Sequence, residues 1–378
     1  MTPPVASGVL EMHPKGFGFL RNSAKNYTPM ASDAFVGQPF IRQFNLAEGV
    51  LLSGPTEPPA RGTTGPRLLS VESIEGADPK AYRRNNWDEL TVIDPGRHIK
   101  LETGAEPLTT RVMDLFTPIG FGQRGIIVAP PRTGKTVLLQ HIAAAITANY
   151  PTVNLMVLLV DERPEEVTEI RRTVKGEVVA STSDKEASSH IRLAELVLER
   201  GRRLAESGRD CVLLLDSLTR LARAYNKQNS SGKTMSGGVD ARAMEKPKRL
   251  FGAARAFEEG GTLTIMGTAL IETGSRMDDL NFQEFKGTGN MELVLDRKLA
   301  EKRIYPAIDL GASGTRKEER LLTPDTLEKV NLLRRSLMQM KNVESMEGLV
   351  KQMAKTKSND DFLDMVAKFN NWPTTAMC

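Results

Sequence analysis

The chain has 378 residues, 40% of them hydrophobic and 26% charged, the balance of an ordinary globular protein with room for two or more domains. Its formal net charge of +4 is too small to establish a nucleic-acid partner, and the first 79 residues carry 6 basic against 7 acidic side chains, so any nucleic acid held there depends on stacking and local charge. No apolar run approaches the roughly 20 residues of a membrane span, no basic-then-apolar leader is present, four histidines lack metal-ligand spacing, and Cys211 and Cys378 make no disulfide framework, so the expected compartment is a reducing cytoplasm.

In chain order, residues 8–75 read as a small β domain. Gly8-Val-Leu-Glu-Met12 and Gly16-Phe-Gly-Phe-Leu-Arg21 are short strand-like runs split by His13-Pro-Lys15, and Ala34-Phe-Val36, Gln38–Leu46 and Gly49–Gly54 continue the pattern. Short strands at this spacing indicate a barrel or sandwich. Pro55–Pro66 is rich in proline, glycine and threonine and reads as a long loop, after which Leu68–Ile74 closes the domain. Phe17, Phe19 and Arg21 alternate, so they share one strand face. Two exposed aromatics beside an arginine would form a stacking platform for single-stranded bases; two phenylalanines in the domain core are the other reading.

Residues 77–107 look like a connector containing the charged segment Lys80–Trp87. Beyond it strands alternate with helices. Val153–Val160, Cys211–Leu215 and Thr262–Gly267 are near-continuous apolar runs, as in strands covered on both faces, and Glu186–Ser207 has a helical pattern between two of them. The expectation is a parallel α/β sheet with right-handed crossovers and a mostly helical tail over 323–369.

Gly125–Thr136 carries the chemistry. The β-branched run Ile126-Ile-Val128 predicts a buried strand, Pro130–Gly134 a tight loop, and Val137 onward a helix. Strand, phosphate loop and helix together hold a nucleoside triphosphate: backbone N–H groups and the helix dipole face the anion, Lys135 reaches the outer phosphates, and Thr136 can bind magnesium. Ala129 stands where such loops usually begin with glycine. Asp216 ends the strand Val212–Leu215 and is a metal partner or the cap of the next helix. Glu162 ends another strand, where it could orient and deprotonate a water. Glu165 and Glu166, just after Pro164, read as first-turn residues of a helix. Arg316 lies in the flexible loop Ser313–Glu319, either as a solvated cation or as an arginine finger for a neighbouring subunit. The glycine-bearing loops Ser230–Asp240 and Glu284–Asn290 each carry one lysine and suit either an extended ligand or an ordinary surface position.

These segments together resemble the Rho family of transcription termination factors. The resemblance is collinear from about Gly8 to Phe369 and is carried by Gly16-Phe-Gly-Phe-Leu-Arg21, Pro118–Gly125, Ala129–Thr136, Asp161–Glu169, Lys175–Thr182, Asp216–Asn226, Phe285–Leu293 and Ser313–Glu319. It implies an α/β protein with an OB-fold β-barrel (1–76), a connector (77–107) and a RecA-like P-loop ATPase domain with a helical C-terminus (108–378). The implied activity is that of a homohexameric, ATP- and Mg2+-dependent, RNA-stimulated 5′→3′ RNA translocase or helicase, which displaces nascent RNA from a halted polymerase. By resemblance, Gly16, Phe17, Gly18, Phe19, Leu20, Arg21, Asp33, Ala34 and Phe35 would contact RNA on the barrel. Lys233, Thr234, Met235, Ser236, Gly237, Gly238, Val239 and Asp240, with Lys286, Gly287, Thr288 and Gly289, would contact RNA in the central channel. Arg132, Thr133, Gly134, Lys135, Thr136, Val137 and Arg163 would bind ATP, as would Gly120, Phe121, Gly122, Gln123, Arg124 and Gly125. Thr136 and Asp216 would hold the metal, Glu162 would activate water and Tyr305 would stack on adenine, while Arg303 and Arg316 would reach in from the adjacent subunit.

Two departures from the family stand out. Arg132 replaces the usual lysine, keeping charge but changing phosphate geometry. Gly65-Pro66 replaces an aromatic pair, removing one wall of the usual pyrimidine pocket and, with one stacked base, roughly 1–3 kcal/mol. The competing readings are a rotary or protein-export ring ATPase, which would need neither Phe17-Gly-Phe19 nor the Lys286–Gly289 loop, and a non-catalytic RNA-binding protein, against which Lys135, Glu162, Asp216 and Arg316 argue.

Overall fold

The computed structural model describes residues 3–59, 65–228, 240 and 242–368. The N-terminal part runs β1 (Val5–Met12), β2 (Gly18–Arg21), β3 (Phe35–Val36), α1 (Gln38–Gln43), β4 (Leu51–Glu57), β5 (Arg67–Leu68) and β6 (Ser73–Ile74). β1 pairs antiparallel with both β2 and β4; β3 joins β2 to β5, and β5 returns to β4. The circuit closes into a small barrel filled by Leu10, Leu20, Val36, Leu52, Leu68 and Ile74, with β6 paired to β4 beside β5.

Two local expectations are corrected. Gln38–Leu46 is not a strand: α1 starts after Gly37 with Pro39 in its first turn. Proline's fixed φ and missing N–H suit that position, and Phe40, Ile41 and Phe44 fall on one helical face against the barrel core. The expected loop at Pro55 begins later, because β4 runs through Glu57, with the Thr56 N–H donating to the Pro4 carbonyl at 2.8 Å.

The remainder contains β7 (Val92–Ile93), β8 (His98–Ile99), α2 (Leu108–Phe116), β9 (Ile119–Gly120), β10 (Arg124–Ala129), α3 (Lys135–Asn149), β11 (Asn154–Glu162), α4 (Pro164–Thr173), β12 (Glu177–Thr182), α5 (Ala187–Glu206), β13 (Asp210–Asp216) and α6 (Leu218–Gln228). After the undescribed segment follow α7 (Glu245–Phe251), β14 (Arg255–Phe257), β15 (Thr262–Leu270), α8 (Arg276–Lys286), β16 (Met291–Val294), α9 (Arg297–Glu301), β17 (Gly314–Thr315), α10 (Pro324–Leu337), α11 (Asn342–Met353) and α12 (Asn359–Lys368). The sheet order is β12-β11-β13-β15-β10-β16-β17, parallel through β16, with β17 antiparallel at the edge. Side chains alternate across it. Ile127, Val157, Leu159, Val212 and Leu214 face one hydrophobic layer; Ile126, Val128, Leu158, Leu213 and Leu215 face the other. Burial on both faces is why these strands read as unbroken apolar runs.

The connector is built into this body. β7 pairs with β14, β8 with β9, and Trp87 packs edge-on against Phe257 at 4.8 Å. The barrel is docked on α5 and the β12 edge. Arg192 donates to Glu11 at 2.6 Å and to the Tyr27 carbonyl at 2.8 Å, Asn26 accepts from the Ala180 N–H at 2.9 Å, and Glu75 takes Arg200 and Arg209. Cys211 lies wholly buried in β13, where desolvation pushes its thiol up to about 12.

Candidate nucleotide and nucleic-acid sites

All strands of a parallel sheet deliver their carboxyl ends to one edge, and ligands of such folds collect there. β10 ends at Ala129, β11 at Glu162, β13 at Asp216 and β15 at Leu270, and the register sets Ala129 opposite Leu270 and Leu159 opposite Asp216. Ala129 is a fully buried strand residue in this register, so the glycine usually found there is dispensable. The turn comes afterwards. Arg132 and Gly134 both have positive φ (65° and 91°), Thr133 Oγ1 donates to the Pro130 carbonyl at 2.7 Å, and α3 starts at Lys135. This alternation points backbone N–H groups inward as an anion nest at a helix N-terminus.

A cavity of about 480 Å³ opens on that loop, lined by Pro130–Val137 with Arg163, Glu166, Arg220 and Leu270. Lys135 Nζ lies 2.6 Å from Asp216 Oδ1 and 3.3 Å from Glu162 Oε1. Burial disfavours the ammonium charge, but the two carboxylates outweigh it and hold the lysine above its usual range. Burial is also the main influence on Glu162, pushed up to about 7, with Asp216 adding to the rise while Lys135 and Arg220 oppose it. Its Oε2 is buried and accepts no hydrogen bond among the described residues. Asp216 is held by Thr268 Oγ1 at 2.7 Å. A cation is thus already drawn between two buried carboxylates. With the Thr136 hydroxyl at the head of α3, this donor set suits magnesium, which is usually held by one or two side chains plus phosphate oxygens and water.

Arg220 escaped the sequence reading. It sits one helical turn beyond Asp216, donates to the Asp161 carbonyl and lies 3.3 Å from Glu162 Oε2. The signal available was its i+4 spacing from the strand-end carboxylate. Glu166, read only as a first-turn residue of α4, also lines the cavity. Beside the loop an apolar recess of about 270 Å³ is walled by Gly134, Val137, His141, Leu295, Tyr305 and Pro306. Tyr305 is 44% exposed, and its ring passes over Gly134, in position to flank a base.

The other expected nucleotide residues divide by location. Arg303 lies in the turn after α9, two residues before Tyr305, with positive φ (61°). Gly120–Gly125 and Arg316 lie at the opposite end of the sheet: β10 begins at Arg124, and the Arg316 N–H donates to the Asn290 carbonyl beside it at 2.9 Å. Five strand rises separate them from the phosphate loop, roughly 17 Å. Arg316 is also not in a free loop, because Gly314–Thr315 pairs with β16. Asn290 joins these parts, its Oδ1 accepting from Arg124 N–H and Gln123 Nε2, both at 2.8 Å. Lys286 ends α8 instead of lying in a loop, pairs with Glu292 at 3.1 Å, and shares a groove with Gly289 and Arg316. Residues 233–239 lie outside the described residues; Asp240 is buried, its N–H donating to Asn226 at 2.7 Å.

On the barrel the alternation is as expected. Phe17, Phe19 and Phe35 form one half-buried outer cluster with ring centroids 5.3–5.9 Å apart. Leu20 and Ala34 belong to the core, and a Cβ on Gly18 would strike Leu10. These three, with Gly16, offer backbone rather than side chains. Arg21 is not a free cation: it pairs with Glu11 and Asp33, both at 2.5 Å, beneath the Phe19 ring. It stiffens the platform and contributes little net charge to it.

Comparison with known proteins accords with both sites. The ATP synthase alpha/beta family, nucleotide-binding domain, matches residues 109–315, and the Rho termination factor, RNA-binding domain, matches residues 6–80. Transcription termination factor Rho of Pseudomonas aeruginosa and that of Escherichia coli (strain K12) are each 52% identical over 366 residues, covering 96% of this chain and 87% of the relative. Among solved structures, a prototypical ATPase from the type III secretion system of pathogenic bacteria superposes with a TM-score of 0.63 at 22% identity, covering 74% of this chain and 87% of that one. The assembled type III secretion ATPase of enteropathogenic E. coli gives 0.62 at 23% identity, covering 83% and 79%. At such identities the likeness is one of fold alone.

Proposed function

The chain belongs to the family of transcription termination factor Rho, and on that premise we propose that it is an RNA-dependent ATPase that moves along single-stranded RNA, 5′→3′, and releases transcripts from RNA polymerase in the cytoplasm. The observation that carries this reading is the meeting of Lys135, Glu162 and Asp216 at one sheet edge, in a body to which an aromatic RNA platform is docked. In this reading the nest and Lys135 orient the triphosphate, with Arg132 and Arg163 at the cavity rim and Tyr305 against the base. Thr136 and Asp216 would hold Mg2+, which would supply charge neutralisation at the transferred phosphoryl group. Glu162 takes the proton of the attacking water. Arg316, too far from its own chain's phosphate loop, serves the pocket of the next protomer, as does the Gly120–Gly125 turn. This is a reason for a ring, which we take to be a homohexamer.

No helix among the described residues is long and apolar enough to cross a membrane. The deciding experiment is phosphate release from ATP with and without poly(C), poly(U) and poly(A), with DNA as control. Hydrolysis should be low alone and rise severalfold with at least one RNA. Turnover indifferent to every polynucleotide would instead indicate a rotary or export-type motor.

A further inference from the structure

The turn between β1 and β2 adds a fourth ring, His13, to the Phe17–Phe19–Phe35 cluster. His13 N–H donates to the Phe17 carbonyl at 2.7 Å and Gly16 N–H to the His13 carbonyl at 2.9 Å, closing the turn tightly. The imidazole lies parallel to the Phe17 ring, centroids 4.4 Å apart and planes within 6°. The backbone N–H of Lys15 donates to His13 Nδ1 at 3.2 Å. That bond fixes the neutral ring's proton on Nε2, so an N–H donor is left at the ring's far edge.

Phe17 is thereby enclosed. His13 covers one face, Phe19 meets it edge-on at 5.8 Å, and Phe35 leans against it at 5.3 Å. The three phenylalanines are half-buried while His13 is exposed, so a base joining the stack meets His13 first. Gly65 supplies no ring, and a Cβ there would lie 2.6 Å from the Asp33 carbonyl oxygen and 2.9 Å from that of Ala31.

We infer, on the reading of the barrel as an RNA-binding domain, that His13 is a nucleobase-contacting residue: its open face stacks on a base of single-stranded RNA, and its Nε2–H donates to an oxygen of the same nucleotide. Lys15, exposed on the same turn, adds a positive charge for the neighbouring phosphate. The test is fluorescence anisotropy with labelled rC and rU decamers at one fixed salt concentration. It compares the full chain with His13→Ala and His13→Phe, using each variant's unfolding midpoint to check folding. His13→Ala should weaken binding roughly fivefold or more, the loss of one stacked base, and His13→Phe should restore most of it. Wild-type affinity in His13→Ala, or His13→Phe binding as weakly as His13→Ala, overturns the assignment. If the wild-type chain binds neither decamer, the RNA-binding reading of the barrel itself fails, and the His13 assignment falls with it.

Discussion

At the scale of single residues, the pocket's chemistry turns on how burial treats three charges. Desolvation alone would neutralise Lys135 and Glu162; their mutual attraction, with Asp216 alongside, keeps the lysine charged and leaves Glu162 near neutrality, at about 7. A general base works best when its pKa lies close to the working pH. The sign follows directly. Below about 7 Glu162 gains a proton and cannot accept one from water, so kcat/KM should fall about tenfold per pH unit well below that point, and above it should level off. Glu162→Gln keeps the shape and removes the base. It should cost roughly 10²–10⁴ in turnover and flatten the profile while nucleotide still binds. A Glu162→Gln enzyme with an intact pH profile would transfer the role elsewhere, Glu166 being the next carboxylate on the cavity wall.

At the scale of elements, one side chain gathers several of the polar contacts between the helical tail and the motor. Arg111 on α2 is wholly buried, and its guanidinium donates to the carbonyls of Ala105, Met353, Thr356 and Ser358 and to Asn359 Oδ1, between α11 and α12. Removing the donor leaves these buried acceptors unsatisfied, at roughly 1–3 kcal/mol for each that finds no other partner. Arg111→Met, close in length, should therefore lower the midpoint of chemical unfolding and expose the segment after α10 to protease first. An unchanged midpoint would show that packing of Phe362 and Leu363 suffices. No sequence pattern announces this arginine, because its partners in the tail lie more than 240 residues away. What was legible had local causes: apolar runs for strands buried on both faces, the Gly134-Lys135-Thr136 turn, and the alternation of Phe17, Phe19 and Arg21. Gln38–Leu46 misled because its aromatic and β-branched residues suit a strand, while Pro39 behind Gly37 decides for a helix. Arg21 was placed on the correct face, but its neutralisation depends on Glu11 and Asp33 from other parts of the barrel.

At the scale of the whole molecule, the phosphate loop and Arg316 lie at opposite ends of the sheet. β10 is a rigid central strand, so its span of roughly 17 Å cannot be closed by loop motion, and β17 anchors Arg316 through Asn290. In the proposed ring, head-to-tail repetition would bring each protomer's Arg316 to its neighbour's phosphate loop. Arg316→Ala should then abolish turnover while sparing nucleotide affinity, and Lys135→Ala should abolish it by emptying the loop. The two defects fall on different sides of each shared pocket. Mixed assemblies of the two inactive variants contain interfaces where an intact loop from the Arg316→Ala protomer faces an intact Arg316 from the Lys135→Ala protomer. Phosphate release should reappear on mixing. If mixed assemblies form and remain silent, Arg316 does not act across the interface, and the catalytic need for a ring disappears with it, because a pocket complete within one chain would require no neighbour to hydrolyse ATP.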